Sequence, residues 1–290
     1  MINLKHLREF PQLYIEAAKR KRVSLDIEAF LKLDEEYRAL KTEVEELRAE
    51  QNRFNKELRG LAGEEKEQML AKMKQAATQV KEGSARFKEV EEEWNAKQLL
   101  IPSVPHEDVP DGVDEDDNVP IRTWGEVPSF SFAMRDHVEL GELHDLFDIE
   151  RGVKVAGARN YFLKGDGARL QHAILRLAMD LLHEKGFTLF DPPLVVLYEA
   201  MRGTGYFPGG EEQAFHLDER DDKYYLIGTS EVPVASYHMD EILELSELPK
   251  LYAGCSPCFR REAGSYGKDT HGLYRVHQFS KVEQVVICRA

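Results

Sequence analysis

Two long runs of apolar residues, spaced alternately by three and four, constrain this chain more than any other feature. The first is Phe30, Leu33, Tyr37, Leu40, Val44, Leu47, Gln51, Phe54, Leu58 and Leu61, a heptad seam with one polar member. The second is Met69, Met73, Ala76, Val80, Gly83, Phe87, Val90 and Trp94. Gly60, Ala62 and Gly63 break the pattern between them. Two heptad helices around one short break predict an antiparallel hairpin with arms about 50 Å long. So long a seam buries little except against its partner, so the hairpin is expected to project. Such an arm serves either as a dimerisation or scaffold coiled coil or as a shape reader for folded RNA. Arg48, Arg53, Lys56, Arg59, Lys66, Lys72 and Lys74 gather on the half nearest the tip, with acids interleaved. The formal charge of −14 argues against indiscriminate nucleic-acid binding. It is unevenly spread: residues 1–100 hold 20 basic and 20 acidic side chains, the remainder 19 and 33.

Before the arm, Leu4, Leu7, Phe10, Leu13 and Tyr14 recur at helical spacing, and Lys19, Arg20, Lys21 and Arg22 follow. That basic cluster reads equally as a solvated helix end or as a phosphate contact. After the arm, Pro102, Pro105, Pro110, Pro120 and Pro128 rule out regular helix from Leu99 to Pro128, and Asp111 to Asn118 is acidic. No apolar run approaches the roughly 18 residues of a membrane span, and Met1 to Phe10 has no apolar signal core. Three cysteines are too few for a disulfide framework and suggest a reducing compartment, the cytoplasm. Cys255 and Cys258 form a C-x-x-C, but a zinc site needs two further ligands, so two small apolar residues leading into a loop is the favoured reading.

The second half alternates strand and helix signals. Tyr161 to Leu163 reads as a strand, Gly165-Asp166-Gly167 as a tight turn, and Ala168 to Glu184 as a helix. Leu170, Ile174, Leu177, Ala178 and Leu181 are expected to face inward, and His172 and His183 to lie on the surface. A strand ended by Pro192 and Pro193 follows, then a Gly-Thr-Gly loop at 203–205. Tyr224 to Ile227 is a strand that delivers Thr229 and Glu231; on extended backbone both would face one pocket. Thr-Ser-Glu before Pro233 also reads as a helix start. From Leu251 to Ile287 two antiparallel strands flank a loop containing Gly264, Gly267 and Gly272. Five cations, Arg260, Arg261, Lys268, Arg275 and Lys281, belong to the loop and its edges. Such a hairpin suits an extended polyphosphate, or is a solvated edge.

The order of these residues carries a family signature. Phe259-Arg260-Arg261-Glu262, then Arg275, then Gln278-Phe279-Ser280-Lys281-Val282-Glu283 resembles motif 2 of the class II aminoacyl-tRNA synthetases. The whole string from Phe259 to Glu283 resembles the seryl-tRNA synthetase family in particular. Ile101 to Gly112 and Phe147 to Leu170 match that family too, and Gly186 to Val195 resembles motif 1. Thr229-Ser230-Glu231 matches its Thr-x-Glu loop. Ser103 stands where the family has Asn, and Tyr206 where it has Gln.

The resemblance implies an α+β fold: an N-terminal antiparallel helical hairpin, then a truncated class II antiparallel-sheet catalytic domain. The expected domains are a tRNA-binding arm at 1–100, a Pro-rich acidic linker at 101–135 and a core at 136–290 lacking motif 3. The implied reaction is ATP-dependent activation of L-serine to seryl-adenylate and transfer to tRNA(Ser), and also to tRNA(Sec), with Mg2+ accompanying ATP. By motif position, Arg260, Arg261, Glu262, Arg275, Val276 and Phe279 would bind ATP, with Arg260, Glu262 and Arg275 catalytic. Thr229, Glu231, Arg260 and Glu283 would bind serine. No metal ligand is expected within the chain, and Pro192 or Pro193 would mark a homodimer interface. The chain is expected to be a fragment, inactive alone. A non-catalytic RNA-binding or dimerisation module and an amino acid:carrier-protein ligase are the alternatives.

Overall fold

The computed structural model describes residues 2–58, 63–217, 223–264 and 271–289. Two compact units emerge, Met1–Gly125 and Glu126–Ala290, so the division falls inside the expected linker. Gly60 to Ala62 of the expected break, with Arg59 and Leu61, lie outside the described residues, as do Gly267 and Lys268.

In the first unit, α1 (Leu4–Glu9) is capped by the Asn3 side chain and α2 (Pro11–Arg20) has proline in its first turn. The arm is α3 (Ile27–Glu57) and α4 (Gly63–Gln98). Asp26 caps α3 by accepting from the Ala29 amide. At 1.5 Å per residue the two helices measure about 46 and 54 Å. Phe30 stacks on Trp94, and Tyr37 on both Trp94 and Phe87, so positions rising along α3 meet positions falling along α4. Phe30, Leu33, Val44, Ala76 and Val90 of the seam are buried, while Gln51, Phe54, Met69 and Met73 are half-buried. A pair of helices has one stripe each to cover and nothing beyond. At the base, Leu7, Tyr14, Ala18, Ile27, Phe30 and Ile101 form a core.

That base contains a buried charge. Asp34, 1% exposed, takes two hydrogen bonds from Arg8, at 2.7 and 2.8 Å, and one each from Arg38 and the Trp94 indole, both at 3.1 Å. Burial pushes this carboxyl up, but the bonds from Arg8 and Trp94 and the charges of Arg8 and Arg38 hold it below its usual range. The basic cluster at the end of α2 meets the proline-rich segment. Arg20 reaches Asp111 and the Val109 carbonyl, both at 2.6 Å, Lys21 reaches Ser103 at 2.7 Å, and Arg22 reaches the Gly112 carbonyl. Arg20, Lys21 and Arg22 thus have protein partners, and Lys21 and Arg22 stay exposed. They tie down the chain that follows the arm, and Ser103 has a partner in that contact.

In the second unit, α5 (His137–Leu143) opens with a capping box between Asp136 and Glu139. β1 (Phe147–Asp148) pairs with β2 (Phe162–Leu163) around α6 (Ile149–Ala156). α7 (Gly165–Glu184) begins three residues earlier than expected. Gly165-Asp166-Gly167 is its first turn, not a separate tight turn, and Gly167 packs so closely on the Leu146 carbonyl that a Cβ would clash. β3 (Thr188–Phe190), β7 (Lys250–Phe259) and β8 (Gln278–Ile287) form one sheet, with β3 parallel to β7 and β8 antiparallel to it. β4 (Val195–Leu197), β5 (Phe215–His216) and β6 (Tyr224–Leu226) form an antiparallel sheet beside α8 (Tyr198–Gly203). α9 (Glu231–Ala235) follows β6. The core here is Val196, Ala200, Met201, Phe207, Ala214, Ile227 and Val232.

One expectation for this unit fails. Leu170, Ile174, Leu177 and Leu181 of α7 were assigned to the core, yet they are 48% to 60% exposed in the single chain. Of the five residues expected inward only Ala178 is half-buried; half-buried Leu175 and Met179 and buried Leu182 form the inner side and leave the other apolar face exposed. What covers that face is not written in the period. His172 and His183 are exposed, as expected. Among the described residues no helix is long and apolar enough to cross a membrane.

Candidate active site

The site is built on one face of the β7–β8 hairpin. Pairing sets Gly254 opposite Glu283, Ser256 opposite Lys281 and Cys258 opposite Phe279. Alternation then places Phe279, Lys281 and Glu283 on one face with Gly254, Ser256 and Cys258, and Arg260 continues that row. Cys255 and Cys258 are three apart on a strand, so their side chains leave opposite faces and cannot share a metal. Burial raises both thiols above their ordinary value. Among the described residues no group of three or more His, Cys, Asp or Glu could hold a metal ion.

α9 lies over this face. Ser230 is its N-cap residue with helical backbone angles, so the segment is a helix start rather than extended chain. Thr229 is buried just before it. Its hydroxyl donates to Glu283 at 2.8 Å, and accepts from Lys281 Nζ at 3.0 Å and from the Glu231 amide at 3.2 Å. One donor and two lone pairs are thereby used in full. Lys281 and Glu283 are also in direct ionic contact. Burial pushes the Glu283 carboxyl up, but the bonds from Lys281 and Thr229 outweigh it and hold it ionised below its usual range. Ser230 donates from a fully buried position to the Gly254 carbonyl at 3.1 Å, with its side chain packed where a Cβ on Gly254 would lie. It therefore ties α9 to β7, a role the sequence reading did not assign. Glu231 is exposed on the first turn of α9, so the structure joins Thr229 to Glu283 more directly than to Glu231.

At the loop end, Arg260 donates from Nε to the Gly228 carbonyl at 3.1 Å and lies 5.3 Å from the centroid of the Phe279 ring. Glu262 has φ +50, a left-handed conformation that non-glycine residues seldom adopt. Arg275 bonds its carboxylate at 3.1 Å and Arg159 its carbonyl at 3.2 Å. The Gln213 side chain pairs with both the amide and the carbonyl of Ala263, at 3.1 and 3.0 Å, while its own carbonyl takes the Arg261 amide at 2.9 Å. His277 donates its amide to the Arg159 carbonyl at 3.1 Å. Burial first, then the charges of Arg159 and Arg261, keep its imidazole below its ordinary pKa. Val276 is buried between these residues. Tyr206, the residue departing from the family pattern, sets its hydroxyl against Gly228, where a Cβ would collide with it.

The hairpin thus brings Arg260, Glu262, Arg275, Val276 and Phe279 together at one end, and Thr229 and Glu283 at the middle of the same face. Arg261 is exposed beside them. Sequence reasoning missed Arg159, Gln213 and Tyr206 as supports, because each comes from a different element. Lys281 was visible in the Phe-Ser-Lys-Val-Glu string, but its reach to Thr229 was not.

Comparison with known proteins agrees with this geometry. Residues 1–105 match the seryl-tRNA synthetase N-terminal domain, and residues 213–290 the tRNA synthetase class II core domain (G, H, P, S and T). The serine–tRNA ligase of Rhodococcus jostii (strain RHA1) is 45% identical over 290 residues, covering all of this chain and 69% of that protein. That of Nitrosopumilus maritimus (strain SCM1) is 37% identical over 291 residues, again covering 69% of its length. The crystal structure of seryl-tRNA synthetase from Pyrococcus horikoshii complexed with ATP superposes with a TM-score of 0.80 at 36% identity. The match covers 99% of this chain and 69% of that one. With a heptad arm preceding a motif 2 hairpin in both sequence and structure, the chain belongs to the seryl-tRNA synthetase family of aminoacyl-tRNA synthetases.

Proposed function

We propose that the β7–β8 face is the serine- and ATP-binding side of a serine–tRNA ligase site, and that the arm formed by α3 and α4 holds tRNA(Ser). In the first reaction the serine carboxylate attacks the α-phosphorus of ATP and pyrophosphate leaves. This demands alignment and charge neutralisation more than proton transfer. Arg260 grips the α-phosphate and the serine carboxylate from its perch on the Gly228 carbonyl. Arg275 holds the β/γ end and Arg261 adds charge nearby. Phe279 stacks on adenine, Glu262 accepts from the adenine amino group, and the Val276 backbone borders the base. Thr229, Glu231 and Glu283 surround the serine ammonium and hydroxyl. Mg2+ accompanying ATP would supply further charge neutralisation. In the second reaction a tRNA terminal hydroxyl takes the acyl group.

The observation that carries this reading is the meeting of Thr229, Glu283 and Arg260 on one strand face beside an aromatic ring. Arg260→Ala is expected to abolish serine-dependent pyrophosphate exchange in a chain of the relatives' full length; unchanged exchange would overturn the assignment. Arg48, Arg53, Lys56, Lys66, Lys72 and Lys74 are exposed along the arm, as an RNA-contacting surface needs. Binding of a tRNA with a long variable arm separates this reading from a carrier-protein ligase. Retained RNA binding without exchange would favour a non-catalytic module. A homodimer is part of the same proposal. The exposed apolar row on α7, together with exposed Leu189 and Val195, supports a partner for this unit, with buried Pro192 following β3.

A further inference from the structure

The outgoing limb of the motif 2 loop, residues 271–274, meets the first turn of α5 at every residue. His271 Nε2 lies 3.2 Å from Asp136 Oδ2. Gly272 has φ +70 and sits so close to the His137 ring and to Val138 that any Cβ would collide with both. The Leu273 amide donates to His137 Nε2 at 3.0 Å. The Tyr274 ring packs on His137 at 4.3 Å between centroids. Because Nε2 accepts, the ring proton of His137 resides on Nδ1. Arg275 follows directly, with its guanidinium on Glu262. The next two residues run into β8 under the His277–Arg159 bond.

Arg275 is therefore held from two sides: by Glu262 through its own side chain, and by His137 through the backbone that carries it. We propose that His137 is a positioning residue for nucleotide binding. By accepting the Leu273 amide it fixes the limb from which Arg275 projects. The contact spans some 136 positions of sequence. Gly272 is the matching requirement on the loop side, since only a residue without a Cβ can approach the imidazole so closely in a left-handed conformation. This inference rests on the nucleotide role proposed above for Arg275.

The test pairs a structural readout with a binding readout. Amide hydrogen exchange at Leu273 and Arg275 is compared in the wild-type chain, His137→Ala, His137→Gln and Gly272→Ala. Gln keeps an acceptor near the Nε2 position. Exchange is expected to speed up about fivefold to tenfold in His137→Ala and Gly272→Ala, to recover in His137→Gln, and to stay unchanged at Tyr252 in β7. ATP affinity, measured by calorimetry on the same variants made in a chain of the relatives' full length, is expected to fall by a similar factor in the same two variants and to recover with Gln, while serine affinity holds. Unchanged Leu273 exchange in both disruptive variants would overturn the latch. Faster exchange with unaltered ATP affinity would overturn its link to Arg275. If His137→Ala fails to fold, Gly272→Ala decides, because it leaves α5 intact. If a wild-type chain of the relatives' full length binds no nucleotide, the ATP reading falls, and exchange at Leu273 and Arg275 still decides the latch.

Discussion

At the scale of single residues, the Thr229 hydroxyl shows how a site is preassembled by saturation. Its one proton and both lone pairs are engaged with Glu283, Lys281 and the Glu231 amide. Thr229→Val keeps the shape and removes all three bonds, leaving partly buried charges under-satisfied. It is expected to cost about 1–3 kcal/mol in chemical denaturation, whereas Thr229→Ser stays near wild type. Gly228 offers a second test. A Cβ there meets the Tyr206 phenol, so Gly228→Ala should lower the thermal midpoint, and Tyr206→Ala in the same chain should recover part of the loss. Nothing collides with a Cβ at Gly203, so Gly203→Ala is the control. Of these contacts, the Thr-x-Glu pattern was legible in the sequence, while the saturating Lys281 was not. A lysine in a strand looks solvated until its partner across the sheet is known.

At the scale of elements, the base of the arm depends on one carboxylate. Asp34 belongs to the string Asp34-Glu35-Glu36, which in sequence resembles any solvated acidic face of a helix. The structure turns it inward to join α1, α3 and α4 through Arg8, Arg38 and Trp94. Asp34→Ala is expected to destabilise the first unit by about 3 kcal/mol, because Arg8 and the indole lose their shared acceptor in a buried place. The sign of the pH dependence follows from the lowered carboxyl. Its contribution is present above the unfolded-state pKa and is lost as pH falls through the lower folded value. Acid titration followed by circular dichroism should therefore unfold the wild-type arm along a steeper limb than Asp34→Asn, which has no proton to gain. The seam itself was legible throughout the described residues, since a period of 3.5 is a local property.

For the molecule as a whole, the apolar row of α7 is the surface on which the homodimer proposal rests. Leu170, Ile174, Leu177 and Leu181 lie exposed on a 20-residue helix. If a second copy covers them, Leu177→Glu should shift sedimentation from dimer to monomer and leave the circular dichroism of the arm unchanged. A wild-type chain that sediments as a monomer at all concentrations would sink the dimer reading. The sequence by itself determined the hairpin arm, the proline-rich connection, the two strands around the cationic loop and the order of the family motifs. Each of these is a pattern of period, punctuation or neighbour, written along a few consecutive residues. Only the tertiary structure decided that Lys281 reaches Thr229, that Arg159 and Gln213 brace the loop, that His137 takes the Leu273 amide, and that the α7 face stays open. Those outcomes depend on which groups come within about 3 Å of one another after residues 50 to 140 positions apart are folded together. Hydrogen-bond partnership is decided in space, and a local pattern carries no record of it.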